Sequence, residues 1–323
     1  PGREGNEALP GGHAVNPKPV TNIPASIRQR LLNKAKADNR PFNEVLQYFA
    51  MERFLYRLSK SMHADKFILK GALMLRVWQS PEARPTMDID MLGRTSNLDA
   101  GIVVQLNDIL SVEVEPDGLV FDASTIRTER IAEDADYEGI RVKFTGELDS
   151  ARVNMRIDIG FGDVVVPGPD LSDFPTILDL PAPRLLCYSR ESAVAEKFDA
   201  MFKLGELNSR MKDFYDIRLL SRHFDFDGDV LAEAIRRTLG KRETSLSSDI
   251  VPFSDGFAQM KQAQWDAFRR RLGPVQTPAS FTEVVGHVRD FLLPIVTIVR
   301  SGGPSGLKWT AQGPWVGSGR VRD

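Results

Sequence analysis

The stretch Arg84–Leu92 reads Arg-Pro-Thr-Met-Asp-Ile-Asp-Met-Leu, and it is the most informative part of the sequence. The proline disfavours helix, and the alternation of polar and apolar residues after it predicts a strand over Thr86–Leu92. Successive side chains of a strand point to opposite faces, so Thr86, Asp88 and Asp90 share one face of this strand. The apolar residues between them face the other way, toward a core.

The two carboxylates on this face, Asp88 and Asp90, are suited to a cation. Carboxylates one strand repeat apart repel each other unless a positive charge lies between them. Mg²⁺ takes oxygen ligands of this kind, and phosphate oxygens can complete its coordination shell. The alternative is a solvated face on an edge strand, because Asp-x-Asp is a common pattern. The pair alone does not decide between the two.

A third carboxylate lies on a second alternating stretch, Arg152–Phe161, where Asp158 is the acidic residue of the polar face. If this strand lies beside the first, Asp88, Asp90 and Asp158 converge. Three such carboxylates can hold two metal ions over a nucleoside triphosphate and activate a hydroxyl for in-line attack, with Asp158 as the base. We therefore expect Mg²⁺ at these three residues. The alternative for Asp158 is a strand-end aspartate bonded to a turn.

A lysine and a glycine, Lys70 and Gly71, follow the short apolar run Phe67–Leu69 and precede a predicted helix. Backbone N–H groups at a helix start attract phosphate, and glycine allows a close approach. The pair is weak on its own. It gains weight because Gly71 lies 17 residues before Asp88, which leaves room for one helix and one loop between adjacent strands.

The 323 residues divide by pattern into an α+β half and a helical half. Strand and helix patterns alternate up to a proline-rich connection at 167–183, and only helical patterns follow it. We predict a mixed sheet with flanking helices over residues 25–185 and an all-helical region over 186–300. Residues 1–24 and 301–323 are rich in proline or glycine and are predicted to be flexible tails.

Composition excludes several classes of protein. No run of 18 apolar residues is present, so no membrane span is expected, and the first residues lack a secretory signal pattern. The single cysteine, Cys187, excludes an internal disulfide and favours a reduced cytoplasmic setting. The net charge is −2, so any nucleic-acid binding requires a local basic patch. Candidates in the helical half are Arg236-Arg237, Lys241-Arg242 and Arg269-Arg270-Arg271.

The order strand, Lys-Gly, helix, Arg-x-Thr-x-Asp-Ile-Asp and a later strand aspartate resembles the polymerase-β-type nucleotidyltransferase superfamily. Two downstream stretches narrow the resemblance to the AbiEii/AbiGii toxin family, which includes the MenT toxins. They are Ala195–Phe198 (Ala-Glu-Lys-Phe) and Ser209–Asp216 (Ser-Arg-Met-Lys-Asp-Phe-Tyr-Asp). The resemblance covers roughly residues 60–225. Ala72 departs from the family pattern, which often has glycine or serine there, so a serine hydroxyl contact to phosphate is absent.

The resemblance implies an Mg²⁺-dependent enzyme that transfers nucleotides from a nucleoside triphosphate to RNA, most simply to the 3′ acceptor end of tRNA. It also implies a cognate antitoxin protein. It singles out Lys197 and Asp213 as catalytic residues beside the three aspartates. The residues that it assigns to the nucleotide are Lys70, Gly71, Arg84, Thr86, Lys197, Arg210 and Asp216.

The residues themselves leave other interpretations open. Lys197 lies on the flank of an apolar helix stripe, where a lysine often keeps its stem on the core and its charge in water. Asp213 and Asp216 lie one helical turn apart and could form surface ion pairs, and Arg210 could be an ordinary exposed arginine. At the level of function, the alternatives are transfer to a small molecule or protein hydroxyl, and a catalytically silent nucleotide- or RNA-binding module.

Overall fold

The computed structural model of the chain describes residues 22–81, 84–132, 138–247, 249–273 and 277–317. These residues form a mixed α+β fold, as the sequence predicts: a large sheet with helices, followed by a helical region. None of the helices combines the length and the apolar character that a bilayer crossing requires.

The large sheet has seven strands in the order β3-β4-β5-β2-β1-β7-β6. β2 pairs parallel with β5, β1 pairs parallel with β7, and the remaining neighbours are antiparallel. The strands are β1 (Phe67–Lys70), β2 (Ile89–Gly93), β3 (Leu119–Ala132), β4 (Glu138–Leu148), β5 (Ala151–Phe161), β6 (Asp170–Asp173) and β7 (Arg184–Cys187). The lone cysteine ends β7 and is buried in the core.

The strand predicted over Thr86–Leu92 starts later in the structure than predicted. β2 begins at Ile89 rather than at Thr86, and its register with β5 starts with Ile89 opposite Ile157. Pro85 has no N–H to offer a neighbouring strand, and the Thr86 N–H donates to Tyr48 Oη at 2.9 Å. Asp88 therefore precedes the strand, whereas Asp90 lies on it. The predicted adjacency of the two aspartate-bearing strands is confirmed.

The helices of the N-terminal half cover the sheet. They are α1 (Ile23–Ala37), α2 (Phe42–Lys60), α3 (Met74–Val77) and α4 (Asp99–Leu110). α1 starts four residues earlier than its apolar pattern predicts. Its cap is Asn22, whose side chain accepts a hydrogen bond from the Ala25 N–H at 3.1 Å, and not Ser26. A short 3₁₀ turn joins β1 to α3 at Gly71–Leu73.

The C-terminal half consists mainly of long helices whose positions follow the apolar periodicity closely. They are α5 (Arg190–Leu204), α6 (Met211–His223), α7 (Gly228–Lys241), α8 (Asp255–Leu272) and α9 (Phe281–Ser301). Side chains of Ser189, Asp227, Ser254 and Ser280 cap α5, α7, α8 and α9 in turn. The buried apolar residues form two clusters, one built by elements up to Tyr188 and one mainly by the helices from Val194 onward.

The prediction of a flexible tail after residue 301 is wrong as far as residue 317. A small sheet unites β8 (Phe226–Asp227), β9 (Leu307–Trp309) and β10 (Trp315–Gly317). Trp309 is buried and donates from its indole nitrogen to the Ser221 carbonyl at 2.6 Å, which satisfies its polar atom. The predicted N-terminal tail lies outside the described residues up to residue 21, and α1 occupies its last two positions.

Candidate active site

A cavity of about 100 Å³ lies between the β1–β2 part of the sheet and helices α5 and α6. Predicted site residues from four separate stretches of the chain line it: Lys70, Gly71, Arg84, Asp90, Lys197, Arg210, Asp213 and Asp216. Thr86, Asp88 and Asp158 are not among the lining residues.

Lys197 lines this cavity and lies between two carboxylates of the neighbouring helix. Its ammonium lies 2.9 Å from Asp216 Oδ2 and 3.4 Å from Asp213 Oδ1. Asp213 and Asp216 are three residues apart on α6, so both face α5, and both are buried. Lys197 is therefore held in an ion-pair cluster. The interpretation of Lys197 as a lysine with its charge in water does not describe this geometry.

Arginines complete the cluster from two directions. Arg84 donates to Asp216 through two nitrogens, at 2.9 and 3.0 Å, and Arg210 Nε donates to Asp213 Oδ2 at 2.7 Å. Burial alone would raise the pKa of Asp216, but the charges of Arg84 and Lys197 outweigh it and lower that pKa to about 2. Asp216 is thus ionised, and together Asp213 and Asp216 hold three cations in place.

The cavity carries a surplus of positive charge. Six basic and four acidic side chains line it among the described residues. The surplus suits a polyanion such as a triphosphate, because cations held in a protein cavity stabilise phosphate more strongly than cations in water do.

Lys70 belongs to a second cluster that sequence reasoning missed. Its ammonium lies 2.9 Å from Asp163 and 3.3 Å from Glu196, and Tyr188 Oη donates to Glu196 at 2.5 Å. Arg242 lies 3.0 Å from the other oxygen of Asp163. Glu196 directly precedes Lys197, and that adjacency is the one sequence signal that could have included it. Asp163 and Arg242 carry no local signal.

The basic clusters predicted as a surface platform behave differently from one another. The Arg242 side chain is only 9% exposed and also pairs with Asp199 at 3.2 Å, so the prediction of a solvated platform is wrong for this residue. Arg236 and Arg237 are exposed and both pair with Glu233.

Gly71 makes room for Asp90. Its φ is +72°, a conformation that side chains other than glycine rarely adopt, and a Cβ built on it would lie 2.0 Å from Asp90 Oδ2. The glycine thus has a steric role in the site, since the carboxylate occupies the space that a methyl group would need.

The three predicted metal ligands do not meet at one point in this structure. Asp90 and Asp158 are register partners on β2 and β5. Asp158, however, accepts two hydrogen bonds from Arg141, both at 2.8 Å, and Asp88 is paired with Arg156. Among the described residues no three His, Cys, Asp or Glu side chains are arranged to hold a metal ion.

Glu196 makes a testable contribution to the pH dependence of stability. Burial, reinforced by Asp163, raises its pKa from 4.5 to about 7. Between about pH 4.5 and about pH 7, the Glu196 carboxyl keeps its proton in the folded protein but has lost it in the unfolded chain. The contribution of Glu196 to the free energy of unfolding therefore falls as pH rises through this window. Above that window it is constant.

We expect Glu196→Gln to remove this decrease in the free energy of unfolding with rising pH, because glutamine does not titrate. Urea unfolding at several pH values between 4.5 and 7.5 measures it, with the exposed Glu206→Gln as the matched control on the same stretch of chain. Identical pH slopes in wild type and Glu196→Gln would contradict the assignment.

Comparison with known proteins places this site in a family. The family model described as "Nucleotidyl transferase AbiEii toxin, Type IV TA system" matches residues 53–287. No curated protein sequence matches the chain.

Two solved structures from Helicobacter pylori are among the proteins to which the chain is similar. JHP933 is 12% identical, with a TM-score of 0.45, over 84% of this chain and 94% of its own. A candidate nucleotidyltransferase is 11% identical, with a TM-score of 0.43, over 86% of this chain and 96% of its own.

The family match spans all four stretches that line the cavity, from Lys70 to Asp216, and most of the helical region. The chain therefore belongs to the AbiEii nucleotidyltransferase toxin family.

Proposed function

We propose that this chain is the toxin of a toxin–antitoxin pair and transfers a nucleotide from a nucleoside triphosphate to an RNA hydroxyl, most simply at the 3′ acceptor end of tRNA. One observation carries the proposal: four separate stretches of the family pattern converge on one cavity with surplus positive charge. Family membership supports the toxin role and a protein antitoxin as partner. The shared location of tRNA and nucleoside triphosphates supports action in the cytoplasm.

The basic residues of the cavity bind the triphosphate in this proposal. Lys197 and Arg84 act from the helical side and the sheet side of the cavity, and Lys70 lies at the end of β1. In the reaction the RNA hydroxyl oxygen bonds to the α-phosphorus while the bond to pyrophosphate breaks. Fixed cations stabilise the charge that builds up on the phosphoryl and leaving oxygens.

The aspartates of the sheet divide into two groups. Asp90 lines the cavity, so it is the strongest candidate of the three to face the reacting phosphate. Asp88 and Asp158 remain candidates that Arg156 and Arg141 now hold. The proposed role of Asp158 as base requires its release from Arg141, because a base must have a lone pair directed at the hydroxyl proton.

A requirement for Mg²⁺ is part of the proposal and rests on the Asp-x-Asp pattern and the chemistry of phosphoryl transfer. The arrangement of the carboxylates in this structure lends it no support. We expect activity to vanish with excess EDTA and to return with Mg²⁺. Undiminished transfer in EDTA would remove the metal from the proposal.

The decisive experiment incubates the purified protein with total tRNA, Mg²⁺ and each labelled nucleoside triphosphate in turn. We expect label on tRNA, and loss of that label in Asp90→Asn, whose side chain keeps its size but loses its charge. Label on protein or on a small molecule, with none on RNA, would favour those acceptors instead. Binding of triphosphate without any transfer would favour a silent nucleotide-binding module.

A further inference from the structure

A second groove, of about 620 Å³, opens beside the cavity, between α8 and the start of α6. It shares Arg84, Arg210 and Lys212 with the cavity, so a ligand that extends out of one enters the other. The family assignments used above give this groove no role.

The charge of the groove has one sign. Its basic lining residues are Arg84, Arg210, Lys212 and Arg271, and no acidic side chain of the described chain lines it. Lys212 and Arg271 are exposed, and within the described ranges neither has an ion-pair partner. Positive side chains without a counter-charge, next to a cavity suited to triphosphate, favour a second polyanion rather than a neutral partner.

The floor of the groove is apolar and includes one aromatic ring. Phe268 is half-buried, and its ring centroid lies 5.7 Å from that of Tyr215 and 5.5 Å from that of Trp265. These contacts fix the ring on α8. Leu272, one turn further along the helix, extends the apolar surface. A fixed aromatic ring among cations is the combination by which proteins bind unpaired nucleotides, with the base on the ring and the phosphate on the cations.

We propose that this groove binds an unpaired nucleotide of the RNA acceptor, with its base on Phe268 and its phosphate at Lys212 and Arg271, so that the strand end points into the cavity. The inference rests on the proposed function and adds the acceptor subsite to it. It requires a single-stranded end, because a base inside a duplex has no free face to stack on Phe268.

The test measures binding and does not depend on transfer. A fluorescein-labelled single-stranded oligoribonucleotide with a free 3′ hydroxyl is titrated at several salt concentrations. Arg271→Ala is expected to raise its Kd about tenfold, as for loss of one charge-assisted hydrogen bond, and to lower the slope of log Kd against log salt by about one. Arg270→Ala is the matched control, because Arg270 is exposed on the same helix but does not line the groove.

Phe268→Leu tests the stacking contact. It retains most of the apolar volume and removes the aromatic face, so Kd should rise about tenfold while the salt slope stays unchanged. Arg271 is exposed, so its variant tests the groove even if Phe268→Leu unfolds. The KM for the nucleoside triphosphate should stay within about twofold in all three variants, since the groove is assigned to the acceptor.

The outcomes separate this inference from the proposed function. Equal effects of Arg271→Ala and Arg270→Ala, with RNA still labelled by the wild type, overturn the groove and leave the proposed function intact. A selective effect of Arg271→Ala without any labelling of RNA supports the groove as an RNA site and overturns the transferase proposal. A raised KM for the triphosphate overturns the assignment of the groove to the acceptor.

Discussion

Lys197→Ala is expected to lower kcat for nucleotide transfer by about 10³ or more, because it removes a cation that lines the cavity. The loss should fall on kcat more than on KM if Lys197 acts mainly on charge that develops in the transition state. Rates of incorporation of labelled nucleotide into RNA at saturating triphosphate measure it. Lys197→Arg should not restore the rate, since a planar guanidinium does not replace a compact ammonium between two carboxylates.

The fold should survive this substitution. Asp216 keeps its two hydrogen bonds from Arg84, and Asp213 keeps its contact with Arg210, so neither buried carboxylate is left without a cation. Circular dichroism and thermal unfolding check the fold. Lys203→Ala is the matched control on the same helix, because Lys203 is exposed, does not line the cavity and, within the described residues, donates only to a backbone carbonyl, that of Arg242. A folded Lys197→Ala protein with the wild-type rate would remove Lys197 from the mechanism.

Gly71→Ala is expected to be nearly as damaging to transfer, with a loss of at least about 10² in kcat/KM. The new methyl group would lie where Asp90 Oδ2 now is, so the carboxylate must leave its position in the cavity wall. A displacement of about 1 Å at a reacting centre is enough for a loss of that size. Steady-state kinetics on triphosphate and RNA measure it.

A substitution at a second glycine, Gly205, separates the steric effect of Gly71→Ala on Asp90 from its effect on backbone strain. Gly205 also has a positive φ, +49°, but a Cβ there would meet nothing within 4 Å. Gly205→Ala should therefore show backbone strain, about 1 kcal/mol or more in stability, with transfer unchanged. If both variants lose activity equally, the steric role of Gly71 is wrong and backbone strain alone explains the effect.

Much of the fold could be predicted from local patterns, because period-two and helical periodicities report directly which residues face a core. Arg152–Phe161 is one case, where the apolar residues alternate without interruption and the observed strand differs by one residue. β6 and β7 could not be found this way. They lie in or next to the proline-rich connection, and each is four residues long, too short for alternation to stand out.

The small C-terminal sheet was missed for a different reason. The stretch after residue 301 has the glycine and proline content that is typical of a flexible tail. Composition alone does not indicate that one tryptophan in this stretch packs against the rest of the protein. The indole ring of Trp309 is buried, and its nitrogen donates a hydrogen bond to the Ser221 carbonyl on α6, 88 residues earlier in the chain. Contacts of that sequence separation leave no periodic pattern in either segment.

The site was predictable where the chemistry repeats a known pattern and unpredictable where its parts are brought together only by the fold. Lys197, Asp213 and Asp216 follow from the resemblance, and the structure brings all three together. The partners of Lys70 do not follow, because Asp163 is 93 residues away in sequence. The pairing of Asp88 with Arg156 also depends on tertiary packing, since the two residues meet only when β2 lies against β5.

The ion pairs of the cavity also determine how a phosphate ligand must bind. Lys197, Arg84 and Arg210 each already have a carboxylate of the protein as a counter-ion, so phosphate binding at these three cations is an exchange of one anion for another rather than the neutralisation of bare charge. The exchange favours ligands whose charge density exceeds that of a carboxylate, and a triphosphate therefore competes better than a monophosphate. Because these carboxylates are part of the protein, they also hold the cations in position after one ligand has left and before the next one binds.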